Sequence, residues 1–385
     1  MSKKKTFNGF TTFIVGAIAL VLGVVVGFFG FAYLNPPRAS DVYVSGDLSI
    51  HFMELGNNYT GDSVYIKAGE TDILIDAGSR TNSASTISNY LNTYVTDNKL
   101  EYVIVTHADR DHIAGFAGDK SNKSIFELYE CETIIDFART NKDASATMYS
   151  NYTTQRDTEV ANGAKHYTAL QCWNNADGAS RKYELSNGIE LEILYNYYYE
   201  YDSTDENNYS VCMMINQGDK HFLFTGDLEK DGEEKLVVNN TLPEVELFKA
   251  GHHGSKTSSN DCLLSVIKPK IVCVCCCAGS VEYSGNDETN QLELEAFKAY
   301  MKNTFPTQDF INRVAKYTDK VYVTTLGTVT YNGTKYKDDG FGSMNGNIVI
   351  TSNKNELTVN CSNNNTYLKD TEWFSKNRVT PTEWA

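Results

Sequence analysis

The sequence is poor in basic residues, in proline and in histidine. Its 385 residues include 34 lysines and arginines against 49 aspartates and glutamates, which gives a formal net charge of −15. This deficit of positive charge excludes tight non-specific binding to duplex DNA, which depends on basic patches that neutralise phosphates. There are only six prolines and seven histidines. The scarcity of proline beside abundant asparagine and tyrosine is typical of a β-rich domain that works outside the bacterial cytoplasm.

The cysteine count is odd, nine in all, and it does not fit a disulfide framework. Four cysteines fall in one apolar run: Cys273, Cys275, Cys276 and Cys277. Because successive residues of a strand face opposite sides, adjacent members of this run cannot converge on one metal ion. We therefore predict a buried strand whose free thiols act as small apolar core residues rather than as metal ligands.

The amino terminus carries the longest apolar stretch of the chain. Three lysines at positions 3–5 precede residues 10–34, which are uncharged and long enough to span a bilayer as a helix. We predict a cytoplasmic basic segment over 1–9, a transmembrane helix over 10–34 and a linker over 35–46. A hydrolase domain over 47–352 and an edge strand or tail over 353–385 follow. A cleaved signal peptide, with Arg38-Ala39-Ser40 after it, is the alternative.

Three apolar strands each end just before residues that can bind a metal ion. Val105 precedes Thr106-His107, Thr225 precedes Gly226-Asp227, and Ala250 precedes Gly251-His252-His253. Strand ends on one side of a sheet meet in space, so these loops can build one site. Four of the seven histidines lie in the three loops. Imidazole nitrogens and carboxylate oxygens are ligands for zinc or manganese. An ordinary solvated loop is the alternative interpretation of residues 106–115.

The run His107-x-Asp109-x-Asp111-His112 resembles the signature of the metallo-β-lactamase superfamily, in its variant with aspartate at the second metal-binding position. Further segments resemble the ComEC-type branch in order and approximate spacing over residues 48–352. These segments are Phe52–Gly56, Gly61–Ser63, Leu74–Gly78, Asn207–Ser210, Phe224–Asp227, His252–Ser255 and Ser258-Ser259. The resemblance implies an α+β fold, the αββα sandwich, with two mixed β-sheets face to face, helices outside and a metal site along one edge.

The resemblance also implies roles for particular residues. The implied metal ligands are His107, Asp109, Asp111, His112, Asp227, His252 and His253, with Asp227 bridging two ions and the choice between His252 and His253 left open. Asp111, Asp227 and His253 are the implied catalytic residues, and Asp111 is a possible proton acceptor. Asp76 would orient a metal-bound histidine. The implied contacts to ligands or to a substrate oxyanion are Asn208, Ser210, Ser255, Lys256 and Ser258.

The reaction that these parts imply is hydrolysis. Two divalent ions, zinc first and manganese as the alternative, lower the pKa of a bridging water and neutralise charge on a phosphoryl or carbonyl oxygen. We expect a membrane-anchored, extracytoplasmic phosphodiesterase acting on a small or polymeric phosphoester. The alternatives are a hydrolase of esters, lactones or β-lactams, and an inactive surface binding protein. The sequence departs from the branch near the expected substrate pocket, at Glu54, at inserted residues 57–60, at Phe116 and at 284–287.

Two further segments lack a metal-binding pattern. Residues 140–185 are polar and low in aliphatic side chains, and we interpret them as an insertion or a lid-like excursion. Five tyrosines lie between positions 195 and 201. A loop packed on the domain is the favoured interpretation of this run, and a platform that stacks on sugar or base rings is the alternative.

Overall fold

The computed structural model of the chain describes residues 48–186, 188–281, 292–353 and 355–385. The predicted transmembrane helix, its basic segment and the linker lie outside these residues, as does the departure at 284–287. Among the helices of the described ranges, none is both long enough and apolar enough to cross a membrane.

The first sheet has eight strands in the order β16-β15-β1-β2-β3-β4-β5-β6. The strands are β1 (Leu48–Phe52), β2 (Val64–Ala68), β3 (Thr71–Ile75), β4 (Lys99–Ile104), β5 (Glu130–Asp136), β6 (Lys165–Thr168), β15 (Ile348–Ser352) and β16 (Leu357–Cys361). Pairing is parallel from β3 to β6 and antiparallel elsewhere. The sheet is therefore mixed, and the parallel strands β3 and β4 open their carboxyl ends at the same edge.

The second sheet also has eight strands, in the order β14-β13-β12-β11-β10-β9-β8-β7. The strands are β7 (Lys182–Ser186), β8 (Ile189–Ile193), β9 (Met213–Gln217), β10 (Lys220–Phe224), β11 (Leu247–Lys249), β12 (Ile271–Ala278), β13 (Val321–Tyr331) and β14 (Tyr336–Ser343). Strands β10 to β13 are parallel to one another, and the outer pairs are antiparallel.

Helices cover the outer faces of both sheets. They are α1 (Ser83–Leu91), α2 (Arg110–Ala117), α3 (Thr147–Asn162), α4 (Ala169–Asn174), α5 (Lys230–Asn239), α6 (Asp261–Ile267), α7 (Leu294–Met301), α8 (Gln308–Val314) and α9 (Glu372–Asn377). Burial of alternate strand residues on both faces explains the apolar runs. Phe222 and Leu247 pack into the core shared with the first sheet, while Leu223 and Phe248 pack with the helices outside the second. The predicted α+β fold with two mixed sheets and helices is confirmed.

The cysteine strand follows the same alternation. Cys273 and Cys275 lie in the core that the two sheets share, and Cys276 lies in the core under the outer helices. All nine cysteines are free, and seven of them are buried. The thiols therefore pack as apolar groups, as the strand geometry predicts.

Residues 140–185 differ from the prediction of an insertion or lid. They contain α3, β6, α4 and most of β7, and β6 and β7 form the edge strands of the two sheets. The prediction was wrong because α3 has a weakly amphipathic, mostly polar sequence in which only Tyr152 and Glu159 are buried. Strand β6 has no fully buried residue either. Edge elements need little apolar surface, so a search for apolar periodicity overlooks them.

The carboxyl-terminal residues pack into the core between the second sheet and its outer helices. After edge strand β16, Trp373, Phe374 and Trp384 join the core under the outer helices of the second sheet. Arg378 is buried there and donates hydrogen bonds to the backbone carbonyls of Met301, Thr304 and Pro306. The end of the chain therefore anchors the loop that leads from α7 to α8.

Candidate metal centre

The three loops that sequence analysis singled out meet at one edge of the sandwich. Strand β4 leads into residues 105–112, β10 leads into Gly226-Asp227, and β11 leads into the turn Gly251–Gly254. Asp76 directly follows β3, the parallel neighbour of β4. The carboxyl ends of neighbouring parallel strands lie together, so side chains far apart in sequence share one cavity.

Four buried residues form the centre of the site: Asp62, His112, Asp227 and His253. One ligand atom from each lies within 4.8 Å of the others. His112 Nε2 is 3.0 Å from Asp227 Oδ2, and His253 Nε2 is 3.1 Å from the same oxygen. His253 Nε2 also lies 3.0 Å from Asp111 Oδ2. Asp227 therefore lies between two imidazoles supplied by the two sheets.

The charges of this cluster shift one another's pKa values. Burial opposes charging of His112 and of His253, but the surrounding carboxylates, above all Asp227, outweigh it and hold both pKa values well above the ordinary histidine range. Burial likewise opposes ionisation of Asp227, and the two imidazoles outweigh it and hold its pKa well below the usual range. Protons on the imidazoles thus compete with any cation at this site.

Asp76 orients His112 from behind. Asp76 Oδ2 lies 2.8 Å from His112 Nδ1, which leaves Nε2 directed at Asp227. Thr106 donates to both Asp76 oxygens, from its backbone N–H at 2.8 Å and from its hydroxyl at 2.7 Å. Asp76 has a φ of 57°, a conformation that is uncommon for residues other than glycine. The backbone is held there so that the carboxylate can support an imidazole.

The Cys275 carbonyl and the Asp62 carboxylate both lie against Nδ1 of His253. His253 Nδ1 lies 3.0 Å from Asp62 Oδ1 and 2.9 Å from the carbonyl oxygen of Cys275. Two successive residues, His252 and His253, have positive φ values of 45° and 55°. This left-handed turn directs the two rings apart. His253 points into the cluster, and His252 Nδ1 lies 3.4 Å from Glu229 Oε1 and 3.2 Å from the Thr257 hydroxyl.

Lys249 places a buried positive charge against the cluster. Its ammonium group forms an ion pair with Asp62 and lies 3.7 Å from Asp227 Oδ1. It also donates to the carbonyl of Ala250 at 3.0 Å. Burial favours the neutral amine, but the Asp62 and Asp227 carboxylates outweigh it and raise the pKa of Lys249. Lys249 is therefore a fixed cation that neutralises part of the carboxylate charge.

His107 and Asp109 lie beside the cluster. The rings of His107 and His112 are 4.1 Å apart between centroids, and His107 Nε2 is 3.6 Å from Asp109 Oδ2. His107 Nε2 is buried and makes no hydrogen bond. Asp109 forms an ion pair with Lys142, which lies after β5. Burial opposes ionisation of Asp109, but His107 and Lys142 outweigh it and lower its pKa.

Glu206 ties the loops around Asp109 together. Its carboxylate accepts hydrogen bonds from the Ala108 N–H at 3.2 Å, the Thr140 hydroxyl at 2.8 Å and the Asn141 N–H at 2.7 Å. The loop after β4 and the loop after β5 are thus fixed to the 3₁₀ turn Glu206–Tyr209. The backbone that carries Lys142 is thereby anchored, so the side chain reaches Asp109 from a fixed position.

The remaining predicted residues surround the centre rather than enter it. The Ser210 hydroxyl accepts from the Asp227 N–H at 3.0 Å, and the Ser258 hydroxyl donates to the Asp227 carbonyl at 3.4 Å. Asn208 accepts from the Glu229 N–H, and the Ser255 hydroxyl pairs with Thr257. Lys256 lines a neighbouring cavity of about 530 Å³. Two of the five residues therefore contact the backbone of a central aspartate, and none joins the metal-competent group.

Sequence reasoning missed four residues of this site: Asp62, Lys142, Glu206 and Lys249. Asp62 was part of a quoted motif, but nothing local to it indicates a carboxylate aimed at His253. A lysine inside the apolar strand β11 is an available signal, because lysine is almost never buried unless it is paired. Lys142 and Glu206 carry no such signal in the sequence.

The side chains present fit divalent metal ions. The donor set consists of imidazole nitrogens and carboxylate oxygens in a buried cavity, which suits zinc or manganese. A buried imidazole nitrogen without a hydrogen bond, as in His107, is the state expected of a ligand atom. His107, Asp109 and Asp227 would hold one ion, and Asp111, His112, Asp227 and His253 would hold another.

Comparisons with known proteins agree with this geometry. Residues 56–123 match the family model of the metallo-beta-lactamase superfamily. Recombination protein 2 of Haemophilus influenzae is 26% identical over 175 residues, which cover 46% of this chain and 17% of that protein. ComE operon protein 3 of Bacillus subtilis is 35% identical over 71 residues, 18% of this chain and 9% of that protein. Competence protein ComA of Neisseria gonorrhoeae is 26% identical over 219 residues, 54% of this chain and 25% of that protein.

The chain thus covers a quarter or less of the length of these curated relatives. Among solved structures, the metallo-beta-lactamase fold protein YhfI from Bacillus subtilis aligns over 53% of this chain and 71% of that one, with 16% identity and a TM-score of 0.33. Residues 56–123 thus match the superfamily model, and the buried Asp and His cluster is consistent with that match. The resemblance of the chain to ComEC-type competence proteins is confirmed.

Proposed function

We propose that the chain is a dinuclear metal-dependent phosphodiesterase. The observation that carries this proposal is the buried convergence of Asp62, His112, Asp227 and His253 from four separate segments, with His107, Asp109 and Asp111 beside them. Histidines supported from behind by carboxylates are typical of metal ligands. Two divalent ions held there would supply a hydroxide nucleophile at neutral pH and charge neutralisation for the transition state.

The residues of the chain have separate tasks in this reaction. Asp76 fixes the His112 imidazole in one tautomer and orientation, and the Cys275 carbonyl does the same for His253, with the Asp62 carboxylate beside it. Asp227 is held between those imidazoles by a hydrogen bond that its backbone N–H donates to the Ser210 hydroxyl. Asp111, whose Oδ2 lies 3.0 Å from His253 Nε2, is the carboxylate placed to take a proton from water in the cavity.

The charge balance of the site favours an anionic substrate. Five carboxylates (Asp62, Asp76, Asp109, Asp111 and Asp227) against the ammonium groups of Lys142 and Lys249 leave three net negative charges when the histidines are neutral. Two divalent ions would turn this into one net positive charge. A phosphodiester carries one negative charge and would meet a complementary site, whereas a neutral ester or lactam gains nothing from that match. The competence and recombination proteins among the relatives also favour a nucleic acid substrate.

Location is part of the same proposal. Residues 10–34 are long and apolar enough to span a membrane, with lysines on the amino side. We infer a single-pass membrane protein whose hydrolase domain lies outside the cytoplasm. Protease accessibility of the domain in intact cells, before and after the outer envelope is opened, tests this orientation.

The experiment that tests the activity combines elemental analysis with turnover of a bis-aryl phosphodiester by the full chain. We expect about two zinc or manganese ions per chain, hydrolysis of the diester and no hydrolysis of a β-lactam or lactone. Asp111→Ala and Asp227→Ala should each abolish turnover, and Asp227→Ala should also lower the metal content. A folded protein that holds no metal and hydrolyses nothing would refute the proposal and favour a binding protein. Turnover of a lactone alone would favour the ester hydrolase.

A further inference from the structure

Two arginines beside the metal loop differ from the other arginines of the structure. Seven arginines lie in the described residues. Arg139, Arg156 and Arg181 pair with carboxylates, and Arg313 and Arg378 donate to groups of backbone carbonyls. Among the described residues, no ion pair joins Arg80 or Arg110 to a carboxylate, although Arg110 lies within electrostatic reach of its neighbour Asp111. In a protein with a net charge of −15, two such guanidinium groups in one place call for an explanation.

The backbone brings these two arginines together next to the site. A Cβ atom at Gly61 would lie 2.8 Å from the Asp111 carbonyl oxygen and 2.9 Å from the Ser79 nitrogen. The segments that carry Tyr59, Arg80 and Arg110 therefore meet at Gly61. Arg110 is the first residue of α2, directly before Asp111, and it is exposed.

Tyr59 holds one of the guanidinium groups in place. The Arg80 Cζ atom lies 3.3 Å from the centroid of the Tyr59 ring, and Arg80 donates to the Ser79 carbonyl at 2.9 Å. A restrained guanidinium loses little conformational entropy when it binds a ligand. Guanidinium groups that lie close together at the surface can bind phosphate oxygens through charge-assisted hydrogen bonds.

We propose that Arg80, Arg110 and Tyr59 form a binding site for the phosphate backbone of a single-stranded nucleic acid, adjacent to the metal centre. The proposal rests on the phosphodiesterase function, because the scissile phosphate lies at the metal site while the next phosphates of the same strand contact the arginines. A single strand is flexible enough to bend into the buried cavity, and two guanidinium groups suffice for two phosphates. A duplex needs a broad basic surface, which a net charge of −15 disfavours.

The test compares a short and a long substrate. The full chain, loaded with zinc, is assayed on bis-(p-nitrophenyl) phosphate and on hexathymidylate. The double variant Arg80→Gln/Arg110→Gln should lower the ratio of kcat/KM for hexathymidylate to kcat/KM for the small diester at least tenfold. The charge-matched control is Lys298→Gln/Lys376→Gln, two exposed lysines on outer helices, and it should leave the ratio unchanged. Arg80→Lys/Arg110→Lys should restore most of the ratio, which a merely misfolded loop would not allow.

Equilibrium binding of an oligonucleotide tests the same site independently of hydrolysis. Fluorescence polarisation of labelled hexathymidylate, measured over a series of salt concentrations, should show a log–log salt slope that is smaller by about 1.4 in the double glutamine variant, which is the loss of two phosphate contacts on a single strand. An unchanged slope together with an unchanged substrate ratio would overturn the inference. If the wild-type chain hydrolyses neither substrate, the phosphodiesterase proposal fails, and the salt slope still decides whether the arginines bind a strand.

Discussion

Replacement of Lys249 by methionine should destabilise the metal-free protein more than the replacement of any exposed lysine. The ammonium group of Lys249 is buried against Asp62 and Asp227, and methionine of similar length would fill the volume without the charge. Two carboxylates of the centre would then face each other without this cation. Their remaining positive partners are the imidazoles of His112 and His253.

The magnitude follows from the burial of the pair. Removal of one partner of a buried ion pair costs about 3–5 kcal/mol, because an uncompensated charge is left in a poorly solvated place. Lys268 provides the control, since its ion pair with Glu244 is exposed on both sides. Lys268→Met should cost about 1 kcal/mol or less. The two variants make the same chemical change, so the difference between them isolates burial.

Urea denaturation of chelator-treated full-length protein, followed by circular dichroism, measures both variants against the wild type. Added zinc should reduce the deficit of Lys249→Met, because divalent ions neutralise the same carboxylates, and it should leave Lys268→Met unchanged. A loss of stability in Lys249→Met no larger than in Lys268→Met would refute the assignment of Lys249 as the counter-charge of the centre.

Three further changes test other parts of the structure. Asp76→Asn should weaken zinc binding about 10–100-fold through the loss of a carboxylate behind a ligand, measured by competition with a chromophoric chelator. Burial raises the pKa of Glu233 to about 7, so its folded state takes up a proton as the pH falls, and the contribution of Glu233 to stability should decrease by about 3 kcal/mol as the pH rises from 4.5 to 7. Glu233→Gln should reduce the pH dependence of the wild type by that amount in denaturation at several pH values. Gly115→Ala would place a Cβ atom 2.3 Å from the Ala77 carbonyl and should cost about 1–3 kcal/mol in thermal unfolding, whereas Gly342→Ala meets no such neighbour.

Local sequence pattern was sufficient for the strands that carry the site. The end of β4 before His107, of β10 before Asp227 and of β11 before His252 all agree with the structure within one or two residues. Short runs of β-branched or aromatic residues that end in polar residues indicate buried strands. The residue types of the following loop indicate which ligands it can bind. Pattern failed for β6, whose partly exposed residues show no buried face.

The choice between neighbouring residues required the tertiary structure. Both His252 and His253 are buried, and both follow β11. The left-handed turn sends only His253 into the cluster, and its conformation depends on packing against the rest of the sandwich. The roles of Asp62 and Lys142 have the same origin, because each reaches the centre from a segment whose local sequence indicates only a turn.

The sequence by itself determined the class of this protein. Its apolar strands, its His-Asp loops and its ordered motifs indicate two sheets whose ends carry side chains that can bind a metal ion, since these features depend on local periodicity and on side-chain chemistry. The tertiary structure alone decided how the charges are arranged: Lys249 and Lys142 against the carboxylates, and Arg80 beside Arg110. Lys142 and Asp109 lie 33 positions apart, and Lys249 and Asp62 lie 187 positions apart. Which of these residues meet is decided by strand pairing and by the directions of loop side chains, not by any neighbour in the sequence.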